Sequence, residues 1–159
     1  AAAAAASHPA ATKRTSNRST SSGSSSTDTS AAAPSSSTGS VHAVTLACLS
    51  TPPGSGSPAS ASAVGAAINS YRASIGLPAL SVSTSGTLSS HSLDMAASGG
   101  IWHSGFDNIV GCAPSATSLV GAWSRSPSHQ AQMARTDVSS MSVGAATADG
   151  FLFSAVKFN

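Results

Sequence analysis

Apolar residues recur with a helical period through the middle of the chain. In residues 61–75, ASAVGAAINSYRASI, Val64, Ile68, Tyr71 and Ile75 fall at steps of 4, 3 and 4, one face of a helix. Gly76-Leu77-Pro78 supplies the stop. Residues 84–98 repeat the pattern with Leu88, His91 and Met95, and Ser85 or Thr84 is placed to cap them. A third, shorter helix fits 115–125, with Leu119, Val120 and Trp123 inward. A fourth, capped by Ser126 with Pro127 at its first helical position, carries His129 and Met133.

Near the C-terminus the period changes to two. Met141, Val143 and Ala145 alternate with small residues, and a second run covers Phe151 to Phe158. Asp149-Gly150 between the runs is a strong hairpin signal. Both faces of the last strand are partly apolar, which predicts a strand inside a sheet covered on both sides. Helices first and strands last give an α+β class with an antiparallel C-terminal hairpin.

The first 40 residues break with this pattern. They hold no Val, Ile, Leu, Met, Phe, Trp, Tyr or Cys and consist mainly of Ala, Ser and Thr. Such a segment buries too little apolar surface to offset its ordering entropy, so a disordered tail is expected over 1–40. Residues 41–60 add a short apolar run, VHAVTLACL, and a Pro/Gly/Ser-rich linker. One domain is expected over 61–159, near the commonest domain size.

Charge adds exclusions. Of 159 residues, seven are Lys or Arg and five are acidic, and all five acids are Asp. Lys13, Arg14, Arg18 and Asp28 account for the net +2, so the folded part is neutral. No basic patch for nucleic acid is present, and no apolar run approaches the ~18 residues of a spanning helix. A monomer is expected.

Cys48 and Cys112 are the only cysteines. A disulfide between them would close a loop of about 65 residues and stabilise by ~4 kcal/mol through loop-closure entropy. The alternatives are two buried thiols, or lipidation of Cys48, since TLAC loosely resembles a lipoprotein cleavage site. The Ser/Thr-rich tail has an extracellular character, which favours the disulfide.

Chemistry must rest on few groups. Phosphate-binding glycine loops, nucleotide fingerprints, HExxH and CxxC are absent. His91 lies on the inner face of the second helix and reads as a core histidine. His103, in WHSG, and His129, in SPSH, lie near element ends, where functional residues concentrate. Asp107 follows His103 by four residues. Two neutral imidazoles and one carboxylate suit zinc, copper or nickel, with water completing the shell. Asp reaches about 1.5 Å less far than Glu. Ser is so abundant that Ser104, Ser126 or Ser128 beside a His carries little information toward a serine triad.

The ordered blocks INSYRASIGLPAL (68–80), HSLDMAASG (91–99), WHSGFDNIVG (102–111), AWSRSPSHQAQM (122–133) and VGAA (143–146), followed by an aromatic last strand, have a counterpart. Over 64–158 the chain is similar to the bacterial branch of the CAP superfamily, the cysteine-rich secretory, antigen 5 and pathogenesis-related 1 proteins. The resemblance implies an α-β-α sandwich, secretion, and a cleft of two His and two acidic residues that binds a divalent metal in several members. By position His103 and His129 resemble the cleft histidines, and Asp107, in DNI, stands where the family usually has Glu. The second family Glu has no counterpart, and Ser126 is the nearest residue to its place.

The expectation is therefore a secreted, non-enzymatic binding module. Its cleft of His103, Asp107, Ser126 and His129 would take a small amphipathic or lipid ligand, or a divalent metal such as zinc on His103, Asp107 and His129. The alternatives are a hydrolase with His129 or His103 as general base and Asp107 orienting it, and a cell-surface structural module tethered through the tail.

Overall fold

The structure, a computed structural model, describes residues 46–159. The tail expected over 1–40 and the first residues of the apolar run, 41–45, lie outside the described residues. The fold is mixed α+β, with four helices and two sheets among the described residues. No helix among them is long and apolar enough to cross a membrane.

The helices follow the apolar spacing, except that Ile75, expected on the inner face of the first, lies just past its end and is 44% exposed. The first, α1, spans Ala61–Ser74 and is capped by Ser60, whose hydroxyl accepts from the Ala63 N–H. Val64, Ile68 and Arg72 are buried along it. Gly76, at φ 76°, takes the left-handed conformation just past its end. The second, α2, spans Gly86–Ser98 with Ser85 as cap and Gly99 in the left-handed conformation at its close. The third, α3, spans Ala116–Ser124 with Ser115 as cap, and α4 spans Pro127–Met133.

The hairpin is formed by β6, Ser140–Ala148, and β7, Phe151–Phe158. Asp149 and Gly150 turn between them with φ of 47° and 77°, both in the left-handed region that a two-residue hairpin needs. Five further strands are interleaved with the helices. They are β1 (Leu46–Ala47), β2 (Ser57–Pro58), β3 (Ser81–Thr84), β4 (Gly100–Ile101) and β5 (Ile109–Ala113). The main sheet runs β2-β6-β7-β5, and β3 joins β6 in parallel. The separate pair β1–β4 is antiparallel. These short strands gave little periodic signal: β3 is exposed at all four positions, and β1, β2 and β4 have two residues each.

Both faces of the sheet are covered, as the last strand's composition required. One face of β6 and β7 carries Met141, Val143, Val156 and Phe158, which pack with Ile68 of α1, Leu119 and Trp123 of α3, and Met133. The other face carries Ala146, Phe153 and Ala155, which pack with Leu88 and Met95 of α2. The contact between α2 and β6 is backbone to backbone, because a Cβ at Gly144 would overlap the Leu88 carbonyl.

Residues 46–60, which composition presents as an apolar run and a linker, are laid against the domain. β1 pairs with β4, β2 pairs with the end of β6, and the Cys48 and Leu49 N–H groups donate to the Gly99 carbonyl. Cys48 and Cys112 form a disulfide, with Cα atoms 6.3 Å apart. Cys112 lies on β5, so the bond ties the start of the described chain to the main sheet. A sulfur held in this bond is not available for lipidation.

Candidate functional site

Asp107 organises the loop between β4 and β5. Its side chain has no exposed surface. One carboxylate oxygen accepts from the Ser104 N–H at 2.8 Å and the Ser104 hydroxyl at 2.6 Å, and the other accepts from His103 Nδ1. His91 Nε2 approaches within 3.8 Å from α2, while its own hydrogen bond goes to the Trp102 carbonyl at 2.8 Å. Burial, the largest single influence, pushes the Asp107 carboxyl up. The Ser104 hydroxyl, His103, the Ser104 N–H and the charge of His103 together outweigh it and hold the group below its ordinary value. Asp107 is therefore ionised at neutral pH. His103 is 55% exposed, while the carboxylate that holds its Nδ1 is fully covered.

His129 is placed by the corner between α3 and α4. Pro127 begins α4, and Ser126 occupies the cap position without making a cap hydrogen bond. The Ser126 hydroxyl instead shares a hydrogen bond with His129 Nδ1 at 2.7 Å. The imidazole stacks on Trp123, with ring centroids 6.3 Å apart and planes 19° from parallel. Trp123 is fixed in turn by donating from Nε1 to the Val110 carbonyl at 3.0 Å. Burial, and then the positive charge of His103, push His129 below its ordinary value. His129 is therefore mainly the neutral imidazole at pH 7, and the two histidines lie within electrostatic reach of each other.

A cleft of about 160 Å³ opens beside His129. Its walls are apolar and include Leu46, Ile101, Val110, Leu119 and Trp123, with Ser126 and His129 as the polar members. Gly111 keeps the wall close, since a Cβ there would overlap the Trp123 indole and Leu119. His103 and Asp107 do not line this cleft.

The residues singled out from the sequence thus fall into two pairs, His103 with Asp107 and His129 with Ser126. Among the described residues, no group of three or more His, Cys, Asp or Glu side chains is arranged to hold a metal ion. Both Asp107 oxygens are already engaged, which suits it to orienting His103 from behind. The parts of a serine triad are likewise divided, with the acid on one histidine and the hydroxyl on the other. Sequence reasoning gave no role to Ser104, which supplies two of the hydrogen bonds to Asp107. The signal was its spacing, three residues before an Asp, which suits a local side-chain to backbone turn. His91, read as a core residue, is buried as expected and also stands beside Asp107.

The sequence matches no protein-family profile and no curated protein. The domain is defined by its own features: a disulfide-tied α+β fold with an apolar cleft ending at a neutral histidine.

Proposed function

We propose that this chain is a secreted, non-enzymatic binding domain of the CAP type. Its cleft takes the apolar part of a small amphipathic ligand and presents His129, with His103 nearby, to the polar end. The observation that carries this reading is the cleft itself, with Leu46, Ile101, Leu119 and Trp123 on its walls and Ser126 and His129 as its polar contacts. A mainly apolar lining with a few convergent polar groups suits an amphiphile better than a polar substrate. Helices on both faces of a mixed sheet agree with the α-β-α sandwich that the sequence resemblance implies. The disulfide favours an oxidising, extracellular setting.

Titration with decanoate, followed by the Trp123 indole N–H resonance, tests the reading. The resonance shifts in the wild type, and the shift weakens in Leu119→Asn and His129→Ala. A Trp123 resonance indifferent to decanoate overturns it.

A second reading is a divalent metal held by His103 and His129. The seating of Asp107 behind His103 favours it. Asp107 then acts as the carboxylate behind a liganding imidazole, and solvent completes the shell. Calorimetric titration with zinc decides this. Binding heat should disappear in His103→Ala/His129→Ala, and identical heats in wild type and double variant remove the metal. The hydrolase alternative is weaker, because the Ser126 hydroxyl and the Asp107 carboxylate serve different histidines.

A further inference from the structure

The face of the sheet under α2 is not covered to its end. α2 meets β6 where the Leu88 backbone lies on Gly144, and the helix begins only at Gly86. The next row outward is the register pair Ser142 and Lys157, on the same face. The loop carrying Phe106 walls the far side. The result is a pocket of about 240 Å³ lined by Ser85, Thr87, Phe106, Ser142, Lys157 and Asn159, with Leu88 at its inner edge.

Three properties distinguish this pocket. First, the Lys157 ammonium has no acidic partner among the described residues. The other cations there are differently placed. Arg72 is buried on backbone carbonyls and Arg135 is paired with Asp137, which leaves only Arg125 in the same condition as Lys157. Second, Phe106 is 62% exposed, the most exposed large apolar residue described. An exposed ring at the rim of a pocket offers a flat apolar face to a ligand seated there. Third, the remaining lining is hydroxyl and amide: Ser85, Thr87, Ser142 and Asn159.

We infer that this pocket binds an acidic saccharide of the uronic acid type. The carboxylate meets Lys157, the C–H face of the sugar ring lies on Phe106, and the ring hydroxyls exchange hydrogen bonds with the Ser, Thr and Asn side chains. A purely apolar ligand would cover the Lys157 ammonium without offering it a counter-charge. A simple inorganic anion would leave Phe106 bare. The site is separate from the His129 cleft, which shares none of its lining residues.

The test is amide NMR of the full-length labelled chain with three probes. Glucuronate carries ring and charge, glucose the ring alone, and acetate the charge alone. Glucuronate shifts the amide signals of Phe106, Ser142 and Lys157, while glucose and acetate at equal concentration shift them far less. Lys157→Gln and Phe106→Ala each weaken glucuronate binding about fivefold, the upper range for one exposed ion pair or ring contact. Lys157→Arg retains it. The proposal falls if glucuronate produces no shifts up to about 10 mM, a concentration that would reveal even millimolar binding. It also falls if acetate reproduces the glucuronate pattern, or if the shifts cluster at Trp123 and His129 instead. The last outcome would leave the cleft reading standing.

Discussion

The guanidinium of Arg72 donates to the Met133 carbonyl at 2.7 Å across 61 residues of sequence, and only 1% of Arg72 is exposed. The same group donates to the Arg135 carbonyl at 2.8 Å and, through Nε, to the Pro78 carbonyl at 2.9 Å. Those carbonyls lie just past α1 and at the close of α4, so one side chain fastens the segments after these two helices to α1. No carboxylate among the described residues pairs with it. Replacing it with Met keeps the bulk and takes the donor from three carbonyls, one in a buried bond and two in part-buried ones. Arg72→Met is expected to cost ~3 kcal/mol or more, read as a lowered urea midpoint at unchanged slope.

Asp107 holds the loop rather than facing solvent. Asp107→Ala removes the acceptor for the Ser104 N–H and hydroxyl and for His103. The expected cost is ~1–3 kcal/mol. Hydrogen exchange at the Ser104 amide should rise well above that of the β6 and β7 amides. A Ser104 amide as protected as in the wild type would show that Asp107 does not organise the loop.

Stability should fall on acidification in separate steps. His129 has a lowered folded-state value, so the unfolded chain takes up its proton first, near the ordinary value of 6.5. That lowers stability as pH drops through and below this point. Asp107 is also lowered, from 3.8, so its contribution is present above that value and is lost as pH falls further. Asp137, held at about 2 by Arg135, acts in the same direction, though its exposure makes it minor. Urea midpoints between pH 8 and 3 measure the profile, and His129→Gln should remove the upper step alone.

Two glycines should respond differently to the same change. At Gly144 a Cβ collides with the Leu88 backbone, which cannot rotate away. Gly144→Ala must lift α2 from the sheet, with an expected cost of ~3 kcal/mol or more. At Gly150 nothing lies near, and only the positive φ of 77° resists a side chain. Gly150→Ala should cost ~1 kcal/mol. Thermal unfolding of the two variants side by side gives the comparison.

The helices were legible because burial imposes a period on them, and Ser85 caps α2 as expected, whereas Ser126 gives its hydroxyl to His129 instead of capping α4. Asp149-Gly150 announced the hairpin through backbone conformation alone. β3 was not legible: Ser81–Thr84 is exposed throughout and is a strand only because β6 offers it a ladder. Arg72 was hidden for a related reason, since nothing local marks an arginine whose acceptors lie 61 and 63 residues away. At the site, the sequence set Asp107 four residues after His103, but that its carboxylate would be taken up by His103 and Ser104 depended on the fold of the loop. The bond between Ser126 and His129 did not stand out, because serine is everywhere in this chain.

The bond between Cys48 and Cys112 also decides how the domain would carry a mechanical load. Tension entering from the chain ahead of Leu46 can strip the two residues of β1 from β4, and then meets a covalent stop at Cys48. From there the force crosses directly to β5. The chain between the two cysteines, a sequence separation of 64, is shorted out, and about 200 Å of extensible chain is withheld at ~3.3 Å per residue. That stretch includes α1, α2 and the Asp107 loop, so these elements would keep their shape under a pull that straightened everything before them.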